Sequence, residues 1–210
     1  MINISRLNEL GNKYPSDKKT HGYYPHYASN LPERCRMLLE IGVATGLSLE
    51  IWNELYGPDE VDIHCLDLFK NTDFVGTRWC RNRGFFPIQG DQSSMETLSS
   101  MKSVYEIIID DASHNCHHQL ISFKHLFLNN LTPGGLYVIE DMHTSSDPFY
   151  YGGFVHNFSD TPLAMFKHFC NAGGEIKNDF FNAGEREVFH SLIDSVKVYD
   201  DKIAFITRKK

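Results

Sequence analysis

Five times between positions 36 and 171 a short apolar run gives way to a turn and then to a helical pattern. The runs are Arg36 to Ile41, Val61 to Leu66, Phe85 to Gln89, Val104 to Ile109 and Leu136 to Ile139. Runs this short and this continuously apolar fit strands buried on both faces. Their alternation with helices calls for a parallel sheet covered on both sides. Pro87 lacks an N–H for the ladder, which puts the third run at an edge. Helices are expected over Leu47 to Tyr56, from the seventies to Arg83, over Ser93 to Met101, Asn115 to Leu131 and Pro162 to Asn171. The tail, SVKVYDDKIAFITRKK, alternates apolar and polar residues on both sides of Asp200-Asp201 and reads as an antiparallel β-hairpin. The expected fold class is α/β, a doubly wound and mostly parallel sheet.

Residues 1–35 stand outside that rhythm. A short helix with the stripe Ile4, Leu7 and Leu10 is expected to stop at Gly11. Ser16 to Arg34 then shows neither helical nor strand periodicity and holds two prolines, so it is read as an irregular segment covering a binding site. Residues 36–210 form the principal domain, in a single-domain chain. Lys+Arg 20 against Asp+Glu 27 gives a net charge of −7, which argues against a nucleic-acid partner. No apolar run reaches the roughly 20 residues that cross a bilayer, so no membrane role is expected. The five cysteines are scattered, with no C-x-x-C pair, and no signal segment opens the chain. The expected setting is therefore reducing and cytoplasmic.

In open α/β sheets, ligands bind beyond the carboxyl ends of the strands, where strand order reverses. The first strand ends in Glu40-Ile41-Gly42-Val43-Ala44-Thr45-Gly46. Its glycines allow a tight turn, and the following helix offers free N–H groups. The spacing is neither G-x-G-x-x-G nor a phosphate loop, and Glu40 would repel a pyrophosphate but welcome an ammonium or a sulfonium. The plain alternative is a structural turn. Asp67, ending the second strand, can accept from both hydroxyls of a ribose, and Asp91 from an adenine amino group.

A second group of acids ends the fourth and fifth strands: Asp110-Asp111-Ala112-Ser113-His114 and Glu140-Asp141-Met142-His143-Thr144-Ser145. Carboxylates crowded at neighbouring strand ends repel unless a cation joins them, and oxygen donors favour a hard ion such as Mg²⁺. His114 is within reach as a general base. The alternatives are that Asp110 or Asp111 caps the helix beginning near Asn115 and that Glu140 and Asp141 only solvate a loop. His117, His118 and His125 suggest zinc, but H-E-x-x-H is absent and packing roles fit them better.

The ordered set Glu40, Gly42, Gly46, Asp67 and Asp91, with the terminal hairpin, resembles the class I S-adenosylmethionine-dependent methyltransferases. That resemblance implies a Rossmann-like seven-stranded sheet whose last strand inserts antiparallel beside the fifth. It also implies cofactor contacts at Glu40, Gly42, Thr45, Gly46, Asp67, Asp91 and Asp110. D-x-x-H at Asp111 to His114, E-D-x-x-T-S at Glu140 to Ser145, and Ser16-Asp17-Lys18 with His21-Gly22-Tyr23…Tyr27 are similar to a narrower group. These are the metal-dependent sugar O-methyltransferases of the mycinamicin and macrocin type. That likeness implies Mg²⁺ on Asp111, Glu140 and Asp141, His114 as base with Asp111 beside it, and substrate contacts from Tyr23, Tyr27 and His143. The implied acceptor is a sugar or sugar nucleotide. Homo-oligomer formation is left open, and the group's additional N-terminal domain is not among these 210 residues. Two readings of other classes stand beside it: a cephalosporin-hydroxylase-like enzyme or a methyltransferase for a nitrogen or phosphate derivative, and a non-catalytic cofactor-binding partner. Arg78, Arg81 and Arg83 read as a solvated helix face.

Overall fold

A computed structural model describes residues 1–70 and 75–210. Its strands are β1 (Met37–Ile41), β2 (Asp62–Asp67), β3 (Phe86–Gln89), β4 (Tyr105–Asp110), β5 (Leu131–Ile139), β6 (Ile193–Tyr199) and β7 (Ile203–Arg208). They form one sheet in the order β3-β2-β1-β4-β5-β7-β6. The first five are parallel; β7 runs antiparallel to both β5 and β6. The interior strands are buried almost end to end, whereas β3, with Pro87, lies at one edge with Phe86 exposed. Strand order reverses between β1 and β4, so the crevice for a ligand opens above that pair. Register aligns Ile41 with both Leu66 and Asp110, which brings the acids that follow to one rim.

Helices α1 (Ile4–Lys13), α2 (Asp17–Thr20), α3 (Tyr24–Asn30), α4 (Leu47–Tyr56) and α5 (Thr77–Asn82) lead to α6 (Met95–Ser100). They are followed by α7 (Cys116–Asn129), α8 (Pro162–Asn171) and α9 (Ala183–Leu192). One face of the sheet packs Leu7, Leu10, Tyr27 and Trp52 from α1, α3 and α4; the other packs Phe123, Phe127, Phe166 and Phe189 from α7, α8 and α9. Phe123 is the hub of the second layer, 5.2 Å from the rings of both Phe127 and Phe166. The C-terminal end of α7 is held by Arg208, whose Nη1 donates to the carbonyls of Phe127 (3.0 Å) and Leu128 (3.2 Å). A cation there also opposes the negative end of the helix dipole. No helix among the described residues is long and apolar enough to cross a membrane.

Two expectations are corrected, and one helix is added. The helix of the first residues runs through Gly11 to Lys13, because Gly11 is a packing site: a Cβ there would meet the Tyr24 ring at 2.4 Å. Ser16 to Arg34 is not irregular but folds into α2 and α3 and joins the core through Tyr23, Tyr24, Tyr27 and Leu31. Helix α9, started by an Asn182–Glu185 capping box, was not expected. The helix expected from the seventies is seen as α5; residues 71–74 lie outside the described residues.

Candidate active site

The turn after β1 is drawn tight against the neighbouring strands. Gly42 N donates to Leu66 O (2.8 Å) and Asp111 N to Ile41 O (2.9 Å). Gly42 has φ +94°, and a Cβ on it would stand 2.1 Å from the carbonyl oxygen of Asp111, so only glycine fits there. Beyond this turn a cavity of about 350 Å³ opens between the ends of β1, β2 and β4, lined by Gly42, Val43, Asp67, Asp91, Asp111 and Ala112 among others. Asp67 is fixed by two backbone donors, Val43 N (2.9 Å) and Phe69 N (2.8 Å). Asp91 accepts from Ser93 N (2.8 Å) and Ser93 Oγ (2.7 Å), bonds that hold its carboxyl below the usual range. Four residues expected at a cofactor or metal site thus share one cavity.

Gly46 and Thr45 do something else. Gly46 adopts φ +74° at the start of α4, and its bare Cα admits the Trp79 ring, which a Cβ would meet at 2.5 Å. Thr45 is exposed and stands apart from the residues lining the cavity.

The second group of acids lies on the far side of Asp111. One ligating atom each from Asp111, His114 and Asp141 falls within 4.8 Å of the others. His114 Nε2 stands 3.5 Å from Asp141 Oδ2, while its Nδ1 is buried without a hydrogen-bond partner. His114 (φ +53°) and Asp141 (φ +54°) both occupy the left-handed region, which non-glycine residues seldom enter and which clusters at functional sites. Thr144 Oγ1 ties the two turns together by donating to His114 O (3.0 Å) and Asp141 O (2.8 Å). Two more imidazoles rim Asp141: His21 Nδ1 at 3.4 Å and His143 Nδ1 at 3.8 Å from Oδ1, both substantially exposed.

Beneath this rim lies a feature that sequence reasoning quoted but gave no role. Lys18 is wholly buried, and its Nζ reaches Asp111 Oδ2 (2.5 Å), Glu140 Oε1 (2.7 Å) and Glu40 Oε1 (3.2 Å). Burial by itself would lower the ammonium's pKa. The Asp111, Glu140 and Glu40 carboxylates outweigh that and hold it well above its ordinary value. Burial raises Asp111, Glu140 and Glu40 in turn, with Lys18 opposing each rise. Tyr27 donates to Glu140 Oε1, and Tyr23 donates to Asp141 Oδ1 at 2.5 Å.

Several expected roles are revised by these contacts. Glu40 does face an ammonium, but it is the chain's own Lys18, and the carboxylate is fully buried away from the cavity. Tyr23 and Tyr27 are buried with their hydroxyls engaged by carboxylates, so in this structure neither can touch an acceptor. Asp110 is buried beneath the site rather than in it. It accepts from Gln92 Nε2 (3.0 Å) and Ser122 Oγ (2.5 Å), because neighbouring strand residues point to opposite sides. His117 packs against Phe154 and Phe180, and Arg83 stacks on Trp79 and pairs with Glu50.

Burial pushes the Asp110 carboxyl up to about 6. A raised folded-state value means that the protonated side chain favours folding. That contribution is whole below the unfolded value near 4 and is lost as pH rises through 6. Asp110→Asn, which keeps the shape and removes the charge, is expected to be more stable than the wild type by up to about 3 kcal/mol above neutrality and no different near pH 4. Denaturant melts of both proteins across that range test this; a difference independent of pH would contradict it.

The residues present fit both groups the fold suggests. Beyond the Gly42 turn the cavity carries the acceptors Asp67 and Asp91 on its wall. Asp111, His114 and Asp141, with one donor atom each within 4.8 Å of the others, suit a hard divalent cation, while Glu140, expected as a third ligand, lies outside that close group.

Comparison with known proteins places this geometry. The chain is 32% identical over 186 residues to the mycinamicin VI 2''-O-methyltransferase of Micromonospora griseorubida, covering 79% of this chain and 43% of that protein. It is 32% identical over 180 residues to the demethylmacrocin O-methyltransferase of Streptomyces fradiae, 77% of this chain and 42% of that one. Among solved structures, the MycE methyltransferase of the mycinamycin pathway in complex with Mg and SAH superposes with a TM-score of 0.73 at 28% identity. That match covers 98% of this chain and 55% of that one. A further MycE structure, holding Mg, SAH and mycinamycin VI, gives 0.72 at 27% identity over the same shares. No protein-family model matches the sequence. The chain spans about two fifths of the length of the curated relatives it matches.

Proposed function

From the premise that this chain has the class I methyltransferase fold and is a homologue of the mycinamicin- and macrocin-type sugar O-methyltransferases, we propose that it transfers a methyl group from S-adenosylmethionine to a sugar hydroxyl with the help of Mg²⁺. The observation that carries this reading is the convergence of Asp111, His114 and Asp141 beside the cavity that Gly42, Asp67 and Asp91 line. Neither feature alone points to methyl transfer; a candidate hard-ion site that shares Asp111 with the cavity at the strand ends supports it.

The chain's residues divide the labour by position. Asp67 would accept from ribose hydroxyls and Asp91 from the adenine, each carboxylate already aimed by backbone or serine donors. Asp111 and Asp141 would hold the divalent ion, and Glu140, which stands outside their close group, would join them through its free Oε2. When bound, S-adenosylmethionine supplies an electrophilic methyl group, and the metal supplies Lewis acidity that makes an acceptor hydroxyl easier to deprotonate. His114 would take up that proton through its imidazole, whose Nε2 stands 3.5 Å from Asp141 Oδ2. His143 and His21, on the open rim, would orient the sugar through hydrogen bonds. The acceptor class is a small-molecule glycoside, consistent with the substrates named for the relatives. All five cysteines are free thiols, which supports the cytoplasmic setting we assign to the protein.

The test is direct. Purified protein is incubated with methyl-labelled S-adenosylmethionine, Mg²⁺ and a panel of glycosides and sugar nucleotides, with and without a chelator. Chelator-sensitive gain of one methyl group on a sugar oxygen is the expected result. Methylation that proceeds equally well in chelator would overturn the metal's part. Binding of S-adenosylmethionine with no transfer to any member of a broad panel would overturn the sugar as acceptor.

A further inference from the structure

Each acid assigned to the ion has one carboxylate oxygen already taken, and in every case the donor comes from residues 18–27. Asp111 gives Oδ2 to Lys18, Glu140 gives Oε1 to Lys18 and Tyr27, and Asp141 gives Oδ1 to Tyr23. The remaining oxygens are Oδ1 of Asp111, Oε2 of Glu140 and Oδ2 of Asp141. Among the described residues, no hydrogen bond from a side chain engages the first two, and the third faces His114. The geometry of the segment suits this purpose. Tyr23 and Tyr27 are four apart at the start of α3, so their hydroxyls leave the same helix face, and both rings are fully buried. Lys18 carries three N–H donors and meets three carboxylates.

We propose that Lys18, Tyr23 and Tyr27 are positioning residues that form the orienting shell of the metal site, each holding one oxygen of a carboxylate so that the other faces the ion. This rests on the reading that Asp111, Glu140 and Asp141 bind a divalent cation. It gives the N-terminal segment a purpose other than a lid: helices α2 and α3 aim ligands they do not themselves include. Outer partners of this kind fix ligand orientation, and their loss typically lowers metal affinity by about 10–100-fold. Lys18 also reaches Glu40 at the end of β1, so the same ammonium joins the acids of three strands and registers α2 against the crevice.

The experiment is a Mn²⁺ titration of the purified chain followed by electron paramagnetic resonance, which needs neither acceptor nor turnover. Tyr23→Phe and Tyr27→Phe remove one donor each without changing charge, and each is expected to weaken Mn²⁺ binding by about 10–100-fold. Lys18→Met is expected to weaken it as well. A simple loss of positive charge would instead tighten it, which separates aiming from electrostatics. Tyr14→Phe is the control, since Tyr14 also donates to a carboxylate from the same segment, that of Glu54 (2.5 Å), yet lies outside the cluster. It should bind Mn²⁺ as the wild type does. If Lys18→Met fails to fold, the two tyrosine variants still decide. Wild-type affinity in both of them overturns the inference, while a wild type that binds no Mn²⁺ overturns the metal assignment beneath it.

Discussion

Asp141→Asn is expected to lower methyl-transfer turnover by about 10³-fold or more while S-adenosylmethionine affinity stays close to the wild type. The substitution is unusually clean at this position. Asp141 sits at φ +54°, and asparagine is at least as comfortable in that region, so the backbone need not move. Its side chain has the same shape, and the Tyr23 hydroxyl can still donate to an oxygen in the Oδ1 position. What disappears is one negative charge on the side facing His114. Several kcal/mol of transition-state stabilisation normally ride on a catalytic metal, which sets the size of the loss. Cofactor binding is spared because Asp141 does not line the cavity beside Gly42. Calorimetric titration with the cofactor and initial rates over a range of Mg²⁺ concentrations measure the two effects separately. A variant that turns over at near wild-type rate would remove Asp141 from the metal site. One that loses cofactor binding in proportion to rate would show that the two sites are not separable.

The second large effect is expected for His114→Asn. A positioned general base contributes about 10²–10⁴-fold, and the turnover number should fall by that much. Asparagine again tolerates the left-handed backbone, here φ +53°, so the turn that carries Asn115 into α7 should survive. His114 lies within ligating distance of Asp111 and Asp141, which leaves two roles open to it on geometry. They differ in what else changes. A base can be removed with Mn²⁺ affinity intact, because the three carboxylates remain. A ligand cannot. The account expects the first outcome, with the Michaelis constant for the acceptor changed little. Parallel loss of metal affinity and rate would reassign the imidazole to the metal.

Much of this architecture was legible because its signals are local. Each parallel strand announces itself as a short apolar run, and the acid that follows marks its functional end without any knowledge of the partner strand. Helix α8 carries its own start signal, Thr161 followed by Pro162, and the expected bounds match those seen. The hairpin is likewise written in the alternation around Asp200-Asp201, both of which take positive φ in the turn. The missing parts depend on contacts between distant positions. Lys18 sits in a stretch, SDKKTHGYYPHY, that looks solvated. Its burial follows from acids further along the chain, Glu40 and two that lie 93 and 122 residues away. Tyr23 and Tyr27 show helical spacing, but Pro25 between them suggests a loop until it is seen in the first turn of α3, where a missing N–H costs nothing. Asp110 and Asp111 cannot be told apart by type. They alternate sides at a strand end, and which side opens to the cavity is settled by Gly42 on the neighbouring strand. Helix α9 did have a readable signal in Asn182 and Glu185, masked by Gly184 and by a mostly polar sequence.

The most direct test of the account is crystallographic: anomalous diffraction from crystals grown with Mn²⁺ and S-adenosylhomocysteine. The prediction is one strong anomalous peak bonded to the carboxylates of Asp111, Glu140 and Asp141, with the adenosyl group beside Gly42 and its ribose on Asp67. A peak elsewhere in the molecule, or an adenosyl group bound with no metal next to those acids, would contradict it.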